Sequence, residues 1–251
     1  MNASSVELTV VIPAYNERDR LPATLSVLRA HLERAAGSWE VLVADDGSRD
    51  GTAPLVRAAA RRDPRIRLLR SPANRGKGHA VRRGVRASRG RLVLVADADL
   101  ATPPGELARL RAGIGRGYAA AIGSRRHARR HPARLLPALV GAAVIRRLAV
   151  RGFADTQCGF KLFDGDRARA VFPLARTDGW GFDVEILRLF AERGWPVAEV
   201  PVAWTHRAGS KLRPADYLRV LGEVAAIRLR HGPPPPPVRA PGARLPSRIP
   251  A

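Results

Sequence analysis

The chain has 251 residues, 45% of them hydrophobic, enough for one sizeable core, and it carries a formal net charge of +22 from 44 basic against 22 acidic side chains. Its single cysteine, Cys158, excludes an internal disulfide framework and suits a reducing compartment. The opening MNASSVELTV lacks the basic-then-apolar pattern of a leader, and the longest apolar stretch of the body, Ala138 to Ile145, is far below the ~20 residues that span a bilayer; a cytoplasmic chain, peripheral at most to the inner face of the cell membrane, is expected.

The first hundred residues alternate. Val6 to Pro13 is a β-branched apolar run that predicts a strand, and Leu21, Leu25, Leu28 and Leu32 recur at helical spacing through Leu21 to Arg34. Trp39 to Ala44 predicts a second strand, Pro54 to Arg62 a helix, Ile66 to Leu69 a third strand, His79 to Ala87 a helix and Leu92 to Ala96 a fourth strand. Such alternation builds right-handed βαβ units and a largely parallel sheet covered on both faces. Beyond Asp99 the pattern loosens. A helix is predicted from Pro103 or Pro104, where proline suits a first turn, then a strand over Tyr118 to Ile122, and a half-apolar, half-basic helix over Ala133 to Val150. A helix over Phe182 to Arg193, a strand over Val197 to Trp204 and a helix over Tyr217 to Arg230 complete the expected domain, 1–231. Residues 232–251, with five consecutive prolines and no periodic apolar pattern, predict an extended, disordered tail outside the fold.

In parallel sheets, ligands bind beyond the carboxyl ends of the strands, which directs attention to three short segments. The first strand runs into Pro13-Ala14-Tyr15-Asn16-Glu17 and the second into Asp45-Asp46-Gly47-Ser48, acids and amides able to hold a base and ribose but equally ordinary at turns and N-caps. The fourth strand ends in Asp97-Ala98-Asp99. In an extended segment residues two apart face the same side, so the two carboxylates converge there, and they repel unless a cation neutralises them. Hard oxygen ligands suit Mg²⁺ or Mn²⁺, whose shell a diphosphate and water would complete. Asn74-Arg75-Gly76-Lys77-Gly78 is a glycine-bracketed loop at a helix start, with a cation for an anionic guest, but without P-loop spacing.

VVIPAYNE, VLVADDGSRDGT, NRGKGHAVRRG, DADLATP and GSR, in this order and at these separations, resemble glycosyltransferase family 2. DTQCGFKLF (Asp155 to Phe163) and GWGFDVEIL (Gly179 to Leu187) resemble its dolichyl-phosphate β-glucosyltransferase branch and prokaryotic polyprenyl-phosphate relatives, the likeness covering about Leu8 to Lys211. The resemblance implies an α/β GT-A fold, with a nucleotide-sugar-binding half over 6–124 and an acceptor-binding half over 125–231. It also implies inverting transfer from a UDP-sugar, UDP-glucose favoured, to a polyprenyl phosphate. Carried over by position, Pro13, Tyr15 and Glu17 would frame the nucleotide, with Asp45 or Asp46 near uracil and ribose and Lys77 near base or phosphates. Asp97 and the adjoining Ala98 would lie at the ribose or metal, and Asp99 would ligate the metal. Arg125 would contact the acceptor phosphate or the diphosphate, and Arg207 and Lys211 would close over the diphosphate.

Two positions depart from the family pattern. Ala101 stands where mannose-transferring relatives often carry a metal-binding glutamine, so the metal would lean on Asp99, the diphosphate and water. Many relatives carry C-terminal transmembrane helices where this sequence runs into prolines, so contact with an anionic membrane is expected from a surface such as Arg125, Arg126, Arg129, Arg130 and Arg134 beside the 133–150 helix, unless these are solvated arginines over a core helix. A phosphate acceptor, with a second pKa of about 6, barely needs a general base; for a hydroxyl acceptor Asp155 or Asp183 would be the candidate base. Trp180 and Trp204 could line the acceptor or sit in the core. A soluble phosphorylated or glycan acceptor is the competing expectation. The charge would also suit a nucleic-acid binder, but no helix-turn-helix, zinc or aromatic-interleaved module supports one, so no nucleic-acid partner is expected.

Overall fold

The structure is a computed structural model that describes residues 6–35, 37–125, 143–206 and 214–238. The elements are β1 (Leu8–Ala14), α1 (Leu21–Ala35), β2 (Trp39–Asp45), α2 (Thr52–Arg62), β3 (Ile66–Arg70), α3 (Lys77–Ala87), β4 (Leu92–Ala96), α4 (Leu107–Gly115) and β5 (Ala120–Ser124). They continue with α5, helical over 143–148 within the described residues, then β6 (Phe160–Asp164), α6 (Gly165–Val171), α7 (Phe182–Glu192), β7 (Val197–Pro201) and α8 (Pro214–His231). Pro104 opens a short 3-10 turn before α4, at the place where a first-turn proline was expected.

One seven-stranded sheet has the order β3-β2-β1-β4-β6-β5-β7. β1 pairs in parallel with β2 and β4, and β7 with β5, whereas β6 runs antiparallel to both β4 and β5. The chain leaves β1 for β2 and β3 on one side and returns to β4 on the other, so the carboxyl ends of β1, β2 and β4 flank the crevice where such sheets take ligands.

Period-two alternation divides the strand residues between two layers. Leu8, Val10 and Ile12 of β1, Val41 and Val43 of β2, and Leu92 and Leu94 of β4 pack with the leucines of α1 and with Leu107 and Leu110 of α4. Val11, Leu42, Val93 and Val95 face the other way, onto Val81 and Val85 of α3 and onto α6 and α7. α7 is covered on both sides: Phe182, Ile186 and Phe190 face the sheet, while Val184 and Leu187 pack with Ile145, Val220, Val224 and Ile227 from α5 and α8. That double burial explains an apolar helix with three buried charges, Asp183, Glu185 and Arg188, each of them paired.

β6 and α6 were not foreseen. Phe160–Asp164 is only five residues long, though Gly159 and Asp164-Gly165 bound it, and its antiparallel direction departs from the βαβ rhythm before it. The strand expected over Val197 to Trp204 stops at Pro201. Of the helix expected over Ala133 to Val150, residues 133–142 lie outside the described residues; in the remainder Ile145, Ala149 and Val150 are buried and Arg146 and Arg147 exposed. The first residues of the Pro-rich segment lie against the body: Arg188, a buried residue of α7, donates to the carbonyls of Ala149, His231 and Pro233 at 3.0, 2.7 and 2.6 Å. No helix among the described residues is long and apolar enough to cross a membrane.

Candidate active site

The loops after β1 and β2 are laced together. The backbone N–H of Asn16 donates to Ser48 Oγ at 2.8 Å and that of Glu17 to Thr52 Oγ1 at 2.9 Å, while Asn16 Oδ1 accepts from the N–H of Arg49 at 2.9 Å. Asn16 adopts a left-handed φ of 52°, a conformation asparagine tolerates better than most residues. Pro13 is the penultimate residue of β1, Tyr15 is 37% exposed just past its end, and the Glu17 carboxylate pairs with Arg20 at 3.2 Å.

Asp45 and Asp46, expected at uracil and ribose, are both buried. Asp45 Oδ1 accepts from the Ser48 N–H at 3.1 Å, and its other oxygen is enclosed, 3.5 Å from Arg70 Nε and without a hydrogen bond. Asp46 Oδ2 accepts from the N–H groups of Arg75 and Gly76 at 3.0 and 2.7 Å, with His79 Nδ1 3.4 Å from Oδ1. Asp46 therefore shapes the loop that delivers Lys77. Gly76 is required in that loop, because its φ is 118° and a Cβ there would lie 2.4 Å from the Asp178 carbonyl.

Lys77, the first residue of α3, reaches the end of β4, where its Nζ lies 2.6 Å from Asp97 Oδ1 and 5.1 Å from the centre of the Trp180 ring. Burial works against its charge, but Asp97, Asp183 and Asp99 outweigh that and hold the ammonium above the usual lysine range. Asp97-Ala98-Asp99 is a turn and not extended strand: β4 stops at Ala96, the Leu100 N–H donates to the Asp97 carbonyl at 3.1 Å, and Leu100 has φ 45°. The strand-alternation basis for converging carboxylates is thereby corrected. The acids are presented instead by a turn pinned through Thr24 Oγ1, which donates to the Ala98 carbonyl at 2.5 Å, and through the Ala101 N–H, which donates to Asp99 Oδ1 at 3.0 Å.

Beside this turn Lys161 Nζ, on β6, lies 2.7 Å from Asp183 Oδ1 and donates to the Cys158 carbonyl at 2.5 Å. Burial pushes the Asp183 carboxyl up, opposed by Lys161 and Lys77. Lys161 was missed as a site residue, although a lone lysine inside the apolar run Phe160–Phe163, in a chain with only two others, was an available signal. Gly159 was missed too. A Cβ there would fall 1.9 Å from Asp97 Oδ2, and its carbonyl accepts from the Asp97 N–H at 3.1 Å. Gly159→Ala is therefore expected to displace the Asp97 carboxylate and cost at least about tenfold in turnover, with the thermal melt moved little; kinetics and a melt on one preparation check it.

Arg125, directly after β5, forms a two-pronged pair with Asp155, Nε to Oδ2 at 2.6 Å and Nη2 to Oδ1 at 2.7 Å, and stands 5.8 Å from the Trp204 ring centre. Glu199 of β7 steadies the pair, accepting from Ser124 Oγ and from the Asp155 N–H at 2.6 and 3.0 Å. Burial opposes ionisation of Asp155, but the Arg125 hydrogen bonds prevail and hold its carboxyl below the ordinary range. An acid bound in this way suits the holder of Arg125 better than a proton acceptor. A carboxyl depressed in the folded state contributes stability above its unfolded pKa of about 3.9 and loses it as pH falls through the folded value. Hence the wild type should exceed Asp155→Asn in urea midpoint at neutral pH, the gap closing below about pH 4; a midpoint series against pH checks it.

Asp97, Lys77, Asp183, Lys161 and Trp180 thus form one cluster and Arg125, Asp155 and Trp204 a second, close enough for Asp97 to help keep Arg125 charged. Arg207 and Lys211, and Arg126, Arg129, Arg130 and Arg134, lie outside the described residues. Glu185, which lies within GWGFDVEIL but is not among the expected site residues, and Glu223, which no motif covers, hold the loop that carries Trp180. Glu185 Oε2 accepts from the N–H groups of Arg176 and Thr177, and Glu223 Oε2 from that of Gly181 at 2.6 Å.

Residues 9–158 match the family model described as glycosyl transferase family 2. The chain belongs to that family. As a family 2 glycosyltransferase it is 39% identical over 242 residues to a dolichyl-phosphate beta-glucosyltransferase of Trichomonas vaginalis, covering 90% of this chain and 72% of the relative. It is 38% identical to the enzyme of that name from Dictyostelium discoideum, covering 90% and 75%, and 36% identical to the one from Homo sapiens, covering 90% and 76%. Among solved structures, the glucosyl-3-phosphoglycerate synthase of Mycobacterium tuberculosis, in complex with Mn²⁺, UDP and phosphoglyceric acid, superposes with a TM-score of 0.68 at 21% identity, over 92% of this chain and 80% of that one. The mannosyl-3-phosphoglycerate synthase of Rubrobacter xylanophilus gives 0.65 at 21% identity, over 95% and 79%. The glycosyltransferase therefore has the GT-A fold, with its mostly parallel sheet between helical layers.

Proposed function

We propose that this glycosyltransferase moves glucose from UDP-glucose, with inversion, onto a dolichyl-type polyprenyl phosphate, assisted by Mg²⁺ or Mn²⁺. One observation carries the acceptor: identity of 36–39% to dolichyl-phosphate beta-glucosyltransferases runs over about 90% of the chain, beyond residue 158 where the family match ends, and so takes in the second half. On this reading 6–124 is the donor half, 125–231 the acceptor half and 232–251 an appended segment.

The residues present suit a divalent cation. Asp97 Oδ2 and Asp99 Oδ2 carry no hydrogen bond among the described residues, and no group of three or more His, Cys, Asp or Glu ligands converges there. Asp99 and Asp97 would hold the ion, the diphosphate and water completing its shell in place of the glutamine that Ala101 replaces. A bound cation would supply positive charge opposite the departing diphosphate. Lys77, fixed by the Asp46 loop, adds a second positive charge on the same side, and Pro13, Tyr15, Glu17 and Asp45 are assigned to the nucleotide. Arg125, held by Asp155, is assigned to an anionic oxygen. Trp180 and Asp183 are placed on the acceptor side. The phosphate oxygen that attacks the anomeric carbon is already anionic near neutral pH, consistent with an Asp155 that is engaged by Arg125. The proposed location is cytoplasmic, in peripheral contact with an anionic membrane.

Incubation with Mn²⁺ or Mg²⁺, a short water-soluble polyprenyl phosphate and each of several UDP- and GDP-sugars is the test. Glucosylation of the polyprenyl phosphate from UDP-glucose is expected. Transfer confined to glycan or small phosphorylated acceptors would overturn the reading.

A further inference from the structure

α8 carries two different faces. Val220, Val224 and Ile227 are buried against α5 and α7. On the opposite side, Leu218 is 73% exposed, Leu221 38% and Leu229 86%, with Gly222, Ala225 and Ala226 also exposed. At 3.6 residues per turn, positions 218, 222, 225 and 229 align in one outward stripe, so an apolar band about three turns long faces away from the protein. Arg219 borders the stripe on one side and Arg228 on the other. The acids of the helix are engaged: Asp216 lies 3.8 Å from Arg219, and Glu223 accepts from the Gly181 N–H.

We infer that this outer face of α8 is the surface that docks on an anionic lipid bilayer, with the leucines in the headgroup–acyl boundary and Arg219 and Arg228 at lipid phosphates. Charge complementarity selects lipid as the occupant. A helix with apolar and basic strips on a chain of net charge +22 is drawn to anionic headgroups, whereas a second copy would bring the same arginines and the same excess charge against it. The inference rests on the proposed polyprenyl phosphate acceptor for its purpose and joins it through structure. Glu223, on the same helix, holds the loop whose Trp180 stands over Lys77, so seating α8 on lipid fixes the acceptor side of the site at the bilayer surface.

Gly222 provides a clean test, because a Cβ there meets nothing within 4 Å and replacing a mid-helix glycine strengthens the helix. Flotation of the full chain with vesicles of phosphatidylcholine, with or without phosphatidylglycerol and lacking polyprenyl phosphate, is expected to show capture by the anionic vesicles. Gly222→Glu and Leu218→Glu should each weaken capture at least about tenfold, while glucosylation of a short water-soluble acceptor stays at the wild-type rate. Wild-type protein that ignores anionic vesicles, or variants that float as wild type does, would overturn the assignment. So would a solution dimer that Leu218→Glu dissociates, which would give the face to a second copy. Failure of wild-type transfer to the soluble acceptor would strike the proposed function instead, leaving the flotation result standing.

Discussion

Asp97→Ala and Asp99→Ala are each expected to lower kcat/KM for sugar transfer by at least about a hundredfold, equivalent to about 2.7 kcal/mol of transition-state stabilisation, the scale typical of removing a charge-stabilising group. The two should differ in what else they change. Asp97 also pairs with Lys77 at 2.6 Å, so its loss leaves a largely enclosed ammonium to the more distant influence of Asp183 and Asp99 and should lower the melting temperature. Asp99 accepts one backbone hydrogen bond within its turn, and its replacement should leave the melt nearly unchanged. Titration of Mn²⁺ against activity separates the parts: a raised metal requirement in Asp99→Ala supports ligation there, and an unaltered metal response would remove Asp99 from the metal site. Steady-state kinetics with calorimetry on both variants decides it.

The second large effect is on stability. Lys161→Met is expected to cost about 3–5 kcal/mol, because it leaves the buried Asp183 carboxyl deprived of its 2.7 Å partner. For a chain of this size that is a fall in Tm of about 6–20 °C. The double variant Lys161→Met, Asp183→Leu removes both charges and should recover much of the loss, since apolar replacement of a whole buried pair is often neutral. Urea midpoints for the two single variants and the double variant form the cycle. Equal destabilisation of Lys161→Met in wild-type and Asp183→Leu backgrounds would show that the lysine acts through something other than this pair.

Part of the candidate site is legible in the sequence, for local reasons. Apolar strands running straight into Asp45-Asp46 and Asp97-Ala98-Asp99 announce a ligand edge, because parallel strands fix where their carboxyl ends lie. The conformation of the second segment was not legible. Leu100 and Ala101 close the turn locally, but the contact that ties it to the rest of the fold comes from Thr24, 74 residues before Ala98. Lys161 stands out as a lone lysine in an apolar run, but what it and Gly159 meet is set by topology. β6, which Gly159 precedes, runs against its neighbours and sits between β4 and β5, and that placement carries both residues to Asp97 and Asp183. Glu185 and Glu223 act on backbone N–H groups, contacts that leave no periodic or spacing signature.

The position of β6 also dictates an order of assembly as the chain leaves the ribosome. β3, β2, β1 and β4 are all synthesised within the first 96 residues and can close on one another, but β4 then presents an unpaired edge until Phe160–Asp164 emerges. β5 is made earlier than either of its partners, β6 and β7, and must wait for both. A nascent chain halted on an unstructured spacer that places residue 124 just outside the ribosome is therefore expected to protect β1 and β2 against protease while β5 remains cleavable, and one with β7 likewise outside to protect all of them. Arrest-and-digest mapping would show it, and protection of β5 at the earlier length would refute this sequence of events. The late strand that delivers Lys161 and Gly159 to Asp97 is thus also the strand that seals the nascent half-sheet against self-association, so active-site completion and escape from aggregation coincide in time.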